Sequence, residues 1–160
     1  MSLKSPAGLC ARLDQFAIVT GRLSAWLALA LVLVTFTVVV MRYAFELGSI
    51  AMQESILYLH ASLFLLGAAY TLKMDAHVRV DIFYRRMSAR GRALVDLLGT
   101  LLLLLPVCIF LVWISADYVA SAWSLREGSR ETGGLPFVYL LKTLIPIGAA
   151  LLIVQGMSLV

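Results

Sequence analysis

The chain has 160 residues, 62% of them hydrophobic and 14% charged, and its mean hydropathy is +0.97. Globular proteins hold roughly half apolar residues, so this composition leaves almost nothing for a water-soluble domain. The net charge of +4 is too small and too unevenly placed to form a nucleic-acid surface; in a membrane chain such an excess reports topology.

Four uncharged runs follow in chain order: Leu23 to Met41, Ser55 to Leu72, Leu97 to Ala116 and Thr143 to Val160. Each is long enough, at helical rise, to cross a hydrocarbon core roughly 30 Å thick. With their flanks they predict spans near 23–41, 52–72, 94–117 and 137–160. The expected fold is an all-α membrane protein, a single four-span domain over residues 1–160. The first run exceeds a signal-peptide core of about 7 to 15 residues and ends in Val-Val-Val-Met-Arg, so we expect a retained span. Ahead of it, Leu9, Leu13, Phe16 and Ala17 fall at helical spacing and predict a short amphipathic interfacial lead-in that stops before Gly21.

Basic residues are distributed asymmetrically. Lys4, Arg12 and Arg22 precede span one, and Lys73, Arg79, Arg85, Arg86, Arg90 and Arg92 fill the second connection. The other connections hold only Arg42, Arg126 and Arg130, the last two offset by Glu127 and Glu131. The positive-inside rule places both termini and the second connection in the cytoplasm, with 42–53 and 118–136 outside. In the second connection, Val78, Val80, Ile82, Phe83, Tyr84 and Met87 are expected to dip into the interface while Arg85 and Arg86 reach lipid phosphates. Trp26, Trp113 and Trp123 are expected as interfacial anchors. Ser88 is the predicted cap of the third helix. Gly133-Gly134-Leu135-Pro136 should break the chain before the fourth. Pro106 and Pro146 each remove a backbone hydrogen bond within a span. No internal repeat is evident, which argues against an inverted-repeat carrier built from this chain alone.

Ionisable groups near a bilayer need a reason. Arg42, Glu54, Asp117 and Lys142 fall near one depth in the predicted topology. We expect them to form a charge-balanced clasp, with an ionised Glu54 paired to Arg42 or Lys142; the alternative is a site for an ion or an anionic solute. His60 is six residues from Glu54, about 120° around the helix, which is too far for adjacent steps of a proton relay. It is expected to be hydrogen-bonded in a helix contact. The other histidine, His77, lies in the cytoplasmic connection, so bis-histidine haem is not expected, and Cys10 and Cys108 are expected as free thiols without metal spacing. No cofactor, metal or nucleophile–base set is expected. Span two is rich in small residues (Ala61, Ser62, Gly67, Ala68, Ala69), and span four repeats this with Gly148, Ala149, Ala150 and Gly156. Such residues allow close backbone approach. His60, Ala61, Gly67, Ala68, Gly148, Ala149 and Gly156 are therefore candidates for a subunit interface or for internal packing. Span one and Leu101–Leu105 are expected to face lipid.

Together these stretches resemble a known family. Arg42-Tyr43-Ala44-Phe45, Gln53-Glu54, and Phe64 to Leu72 running into Asp75-Ala76-His77-Val78-Arg79-Val80-Asp81 are similar to the small, DctQ-like membrane subunit of tripartite ATP-independent periplasmic (TRAP) transporters. Gly133-Gly134-Leu135-Pro136, Lys142, Ile145-Pro146 and Gln155-Gly156 match that family's approach to its last helix. The resemblance runs from about Asp14 to Gly156, and it rests on order and spacing, not on one motif. It implies a multi-pass protein of the bacterial inner membrane. Its implied partners are a large membrane subunit carrying the substrate and sodium sites, and a periplasmic solute-binding protein that delivers a small organic solute, typically a carboxylate. The small subunit would be a non-catalytic scaffold in sodium-driven symport. Ala51-Met52 departs from the bulkier residue common in relatives, and the chain stops at the end of span four, so any cytoplasmic tail is expected to be short or to lie beyond this sequence. The competing expectation is an autonomous proton or ion conductor using Glu54, His60 and Lys142. It lacks a continuous polar face.

Overall fold

A computed structural model describes residues 6–74, 84 and 86–159. The elements are α1 (Pro6–Ala44), α2 (Ile50–Lys73), α3 (Ala89–Gly99), a π-helical turn (Thr100–Leu104), α4 (Leu105–Ser124) and α5 (Val138–Leu159). Among the described residues there is no strand. Four stretches are long and apolar enough to cross a membrane: Ile18–Ala44, Ile50–Lys73, Ala89–Ser124 and Val138–Ser158. They fall where the apolar runs predicted them.

The interfacial lead-in is not separate. α1 continues through Gly21 as one helix of 39 residues. Glycine ends a helix where its backbone turns left-handed; Gly21 stays helical, and the Tyr70 ring of α2 packs over its bare face, with Cδ1 2.9 Å from where a Cβ would stand. Past Ala44, Glu46 adopts a left-handed backbone (φ 56°), and the Leu47 N–H reaches back to the Met41 carbonyl at 2.9 Å. Ser49 then caps α2, its hydroxyl accepting from the Met52 N–H at 3.4 Å. The result is a tight antiparallel hairpin.

Most of the amphipathic connection, with His77 and Arg85, lies outside the described residues, as does the Cys10 side chain. Arg86 is exposed. Tyr84 does not simply dip into lipid: its hydroxyl donates to Asp96 Oδ2 at 2.6 Å. Ser88 caps α3 as predicted, accepting from the Gly91 N–H at 3.3 Å. α3, the π turn and α4 form one rod of 36 residues, about 54 Å long, well beyond the hydrocarbon thickness. The π turn comes directly before Pro106, with the Leu105 N–H bonded to the Thr100 carbonyl. A proline that cannot donate to its own i−4 carbonyl is accommodated by such a widened turn.

The helices pack in the order α1, α2, α5, α4, with α2 and α5 central and a lesser α1–α5 contact. In lipid no hydrophobic force draws helices together, so close approach at small residues carries the packing. At Gly148, Leu65 Cβ is only 3.0 Å from a hypothetical Cβ, which sets the α2–α5 distance. A Cβ on Gly156 would stand 2.8 Å from Leu104 Cδ2 and 3.5 Å from Thr100 Cγ2, so the bare glycine lets the π turn dock on α5. Leu101, Leu102 and Leu103 are exposed as expected, but Leu104 and Leu105 are partly covered, turned by the rod toward Gly156. Cys108 is a free thiol, buried with Ala69, Ala122 and Ala149.

These contacts predict opposite outcomes at two glycines. Gly148→Leu must push α2 from α5 and should cost about 1–3 kcal/mol, seen as a lower melting temperature in detergent. Gly99 has open space around it, so Gly99→Ala should leave the melting temperature unchanged or raise it through helix propensity.

Candidate functional site

The polar residues expected to form one clasp are divided among different partners. Glu54, one turn into α2, is bound by the α4–α5 loop. The Ser129 hydroxyl donates to its Oε1, and the Leu135 N–H donates to its Oε2 at 2.6 Å. The loop is shaped for this. Ser129 N–H bonds the Leu135 carbonyl at 2.9 Å, so both donors arrive side by side. Ser129 Oγ also accepts from the Glu131 N–H at 3.1 Å. Gly133 takes φ 84°, and the Gly134 N–H bonds the Glu131 carbonyl at 3.0 Å, the geometry of a turn that needs a left-handed third residue. Gly134 leaves room for the carboxylate, since a Cβ there would lie 2.8 Å from Glu54 Oε1.

Lys142, one turn into α5, pairs with Glu127 and sits 4.0 Å from the centroid of the Tyr118 ring. Glu127 arrives there because α4 ends in a Schellman motif. Arg126 is left-handed (φ 45°), the Glu127 N–H bonds the Ala122 carbonyl at 3.0 Å, and the Arg126 N–H bonds that of Trp123 at 3.2 Å. Beside this pair, Trp123 Nε1 donates to Thr143 Oγ1 at 2.8 Å, and its ring meets Tyr139 edge-on at 4.7 Å. Trp123 is thus a structural tie between α4 and α5 as well as half-exposed, whereas Trp26 and Trp113 are 71% and 76% exposed.

The clasp of Arg42, Glu54, Asp117 and Lys142 is accordingly corrected. Glu54 is held by a hydroxyl and an amide, and the partner of Lys142 is Glu127. Arg42 and Asp117 are exposed and join neither group. Once the loop folds over α2, the nearest donors to Glu54 belong to the loop, not to the neighbouring helices. In the sequence Gly134 and Leu135 mark only a chain break and Glu127 only an offset to a basic residue; neither these nor Ser129 and Tyr118 are legible there as partners of Glu54 or Lys142. The available signal was the Gly-Gly turn, which marks where a loop can fold back.

The small residues also separate. Gly148, Ala149 and Gly156 are buried within the bundle, so they serve internal packing and are not open to a partner. Ala61, Gly67 and Ala68 are only partly covered, and Gly67 leaves a would-be Cβ 3.6 Å from Ser24 Oγ of α1. His60 is exposed, and among the described residues it has no hydrogen-bond partner, so the expected helix-contact hydrogen bond is not found among them.

Four helices long and apolar enough to cross a membrane, tied at one end by partly buried polar bonds, define a multi-pass membrane protein. The family described as tripartite ATP-independent periplasmic transporters, DctQ component, matches residues 31–160. The chain belongs to that family and is a transporter component, and members of such systems work in general with a large membrane subunit and a solute-binding protein. Comparison with curated proteins gave no match.

The loop contact is testable by proteolysis. Glu54→Gln replaces an acceptor oxygen by an NH2 donor, so one of the two loop donors loses its acceptor. Trypsin should then cut at Arg126 or Arg130 several-fold faster than in the wild type, and Gly134→Leu should act the same way. Unchanged cleavage in both variants would mean that the loop is held elsewhere.

Proposed function

We propose that this chain is the non-catalytic small subunit that scaffolds the large transport subunit of a sodium-driven transporter in the bacterial inner membrane, for uptake of a small organic solute of the carboxylate class. The observation that carries the reading, beside family membership, is how the polar groups are used. Glu54 and Lys142 are engaged in fastening the α4–α5 loop and its helices. His60 lies on an exposed face, about 120° around α2 from Glu54. A conductor built on these three would need them on one continuous path, and their placement supports fastening instead. We further propose that the end bearing residues 45–49 and 125–137 faces the periplasm, as the distribution of basic residues indicates.

Two measurements test this. Purified chain in liposomes under a sodium gradient should take up no carboxylate, and addition of the large subunit and the solute-binding protein should establish uptake; transport by the chain alone would overturn the scaffold reading. For orientation, single cysteines at Arg90 and Thr132, both exposed, in a background lacking Cys10 and Cys108, should react with an impermeant thiol reagent from the cytoplasmic and the periplasmic side respectively. The reverse pattern would invert the topology.

A further inference from the structure

Five residues of α2 are exposed: Ile50, Gln53, Leu57, His60 and Phe64; the others are partly covered or buried. The spacing of the five is three, four, three, four, which places them on one stripe. The flanks of α2 are occupied by α1 and α5, and the stripe is what they leave uncovered. Its register continues through Gly67 and Thr71. There α1 contributes Gly21, Ala25 and Ala28, and the two helices enclose an open crevice of about 540 Å³.

Length and chemistry narrow the occupant. From Ile50 to Thr71 the stripe runs about 31 Å, the full thickness of a hydrocarbon core, whereas a lipid acyl chain occupies one leaflet. A repeat of 3.5 residues is the seam of a left-handed helix pair, crossing at about 20°. His60 lies about 15 Å from the Ile50 end, near mid-depth. An imidazole carries an N–H in either protonation state, and lipid tails offer it no acceptor. The exposed residues of α1 and of the α3–α4 rod contrast with this. On α1 Leu29, Val32, Leu33, Phe36 and Val39 are exposed on one apolar side, which Thr35 and Thr37 widen to about 200° of the helix; it differs from the α2 stripe in its polar groups, because both threonine hydroxyls are bonded to the chain's own carbonyls.

We propose that the Ile50–Gln53–Leu57–His60–Phe64 stripe is the surface on which one transmembrane helix of the large subunit docks, with His60 hydrogen-bonded to a polar group of that helix. This rests on the reading that the chain works beside a large membrane subunit.

The test uses the complete transporter in membranes, with a photo-crosslinking benzoylphenylalanine placed at Leu57, His60 or Phe64, and at Leu33 or Leu102 as controls. Adducts with the large subunit are expected from the three stripe positions and lipid adducts from the controls. Large-subunit adducts from Leu33 or Leu102 together with only lipid adducts from the stripe would overturn the proposal, as would stripe adducts with a second copy of this chain. His60→Leu should weaken association with the large subunit about threefold, the size of an average intramembrane hydrogen bond, and His60→Gln should restore it. Equal affinity for wild type and His60→Leu would remove the hydrogen bond from the proposal. Wild-type co-purification reports separately on the underlying reading: failure to hold the large subunit at all would sink that reading, whereas a stable complex whose adducts avoid the stripe sinks only the docking surface.

Discussion

Hydrocarbon offers no hydrogen bonds, and that constraint organises this protein at every scale. It sets helices as the spanning elements, because only they satisfy their own backbone. It also disposes of most side-chain hydroxyls locally. Those of Ser24, Thr35, Thr37, Ser55, Ser62, Thr71 and Thr143 each donate to the carbonyl four residues earlier. Short polar residues can therefore sit in a span without a partner helix. Longer ones cannot satisfy themselves in this way, and they become the joints of the fold.

Glu54 is the joint with the widest reach. By accepting from Ser129 and Leu135 it draws a loop some eighty positions away onto the start of α2. That loop begins at the left-handed end of α4 and leads directly into α5, so one carboxylate fixes three helices at one end. Lys142, Glu127 and Tyr118 reinforce the α4–α5 side. Below this tied end, contact between helices passes to glycine: Gly148 against Leu65, Gly156 against the π turn, and Gly21 beneath Tyr70. Polar bonds set the register of the helices and small residues set their distance.

A frame braced in this way suits the scaffold role we propose, and it gives the faces of the bundle different surfaces. α1 and the α3–α4 rod present broad exposed apolar surface. α2 is covered on all sides but one, and the side left open carries the His60 imidazole, which has no hydrogen-bond partner among the described residues. The chain thus uses Glu54, Lys142 and Trp123 to join its own elements, and presents His60 where we place the neighbouring subunit.

The sequence by itself determined the four spans, because the length of an apolar run is a direct measure of what can cross a bilayer. It determined the Ser88 cap and the turn at Gly133, since each depends on a residue and its immediate neighbours. The similarity of the stretches from Arg42 to Gly156 also pointed to the family that the match over residues 31–160 bears out. Tertiary structure decided the rest. Four ionisable residues at one depth looked like one clasp, but which charges meet depends on how a loop folds over a helix end; Glu127 reaches Lys142 only through the left-handed turn at Arg126. Gly67, Gly148 and Gly156 are alike as letters, yet two are sealed inside and one borders an open crevice. That difference is the rotation of each helix about its own axis. A helix of uniformly apolar composition does not encode it, because lipid and protein interior are equally good solvents for leucine, and only the contacts between helices fix it.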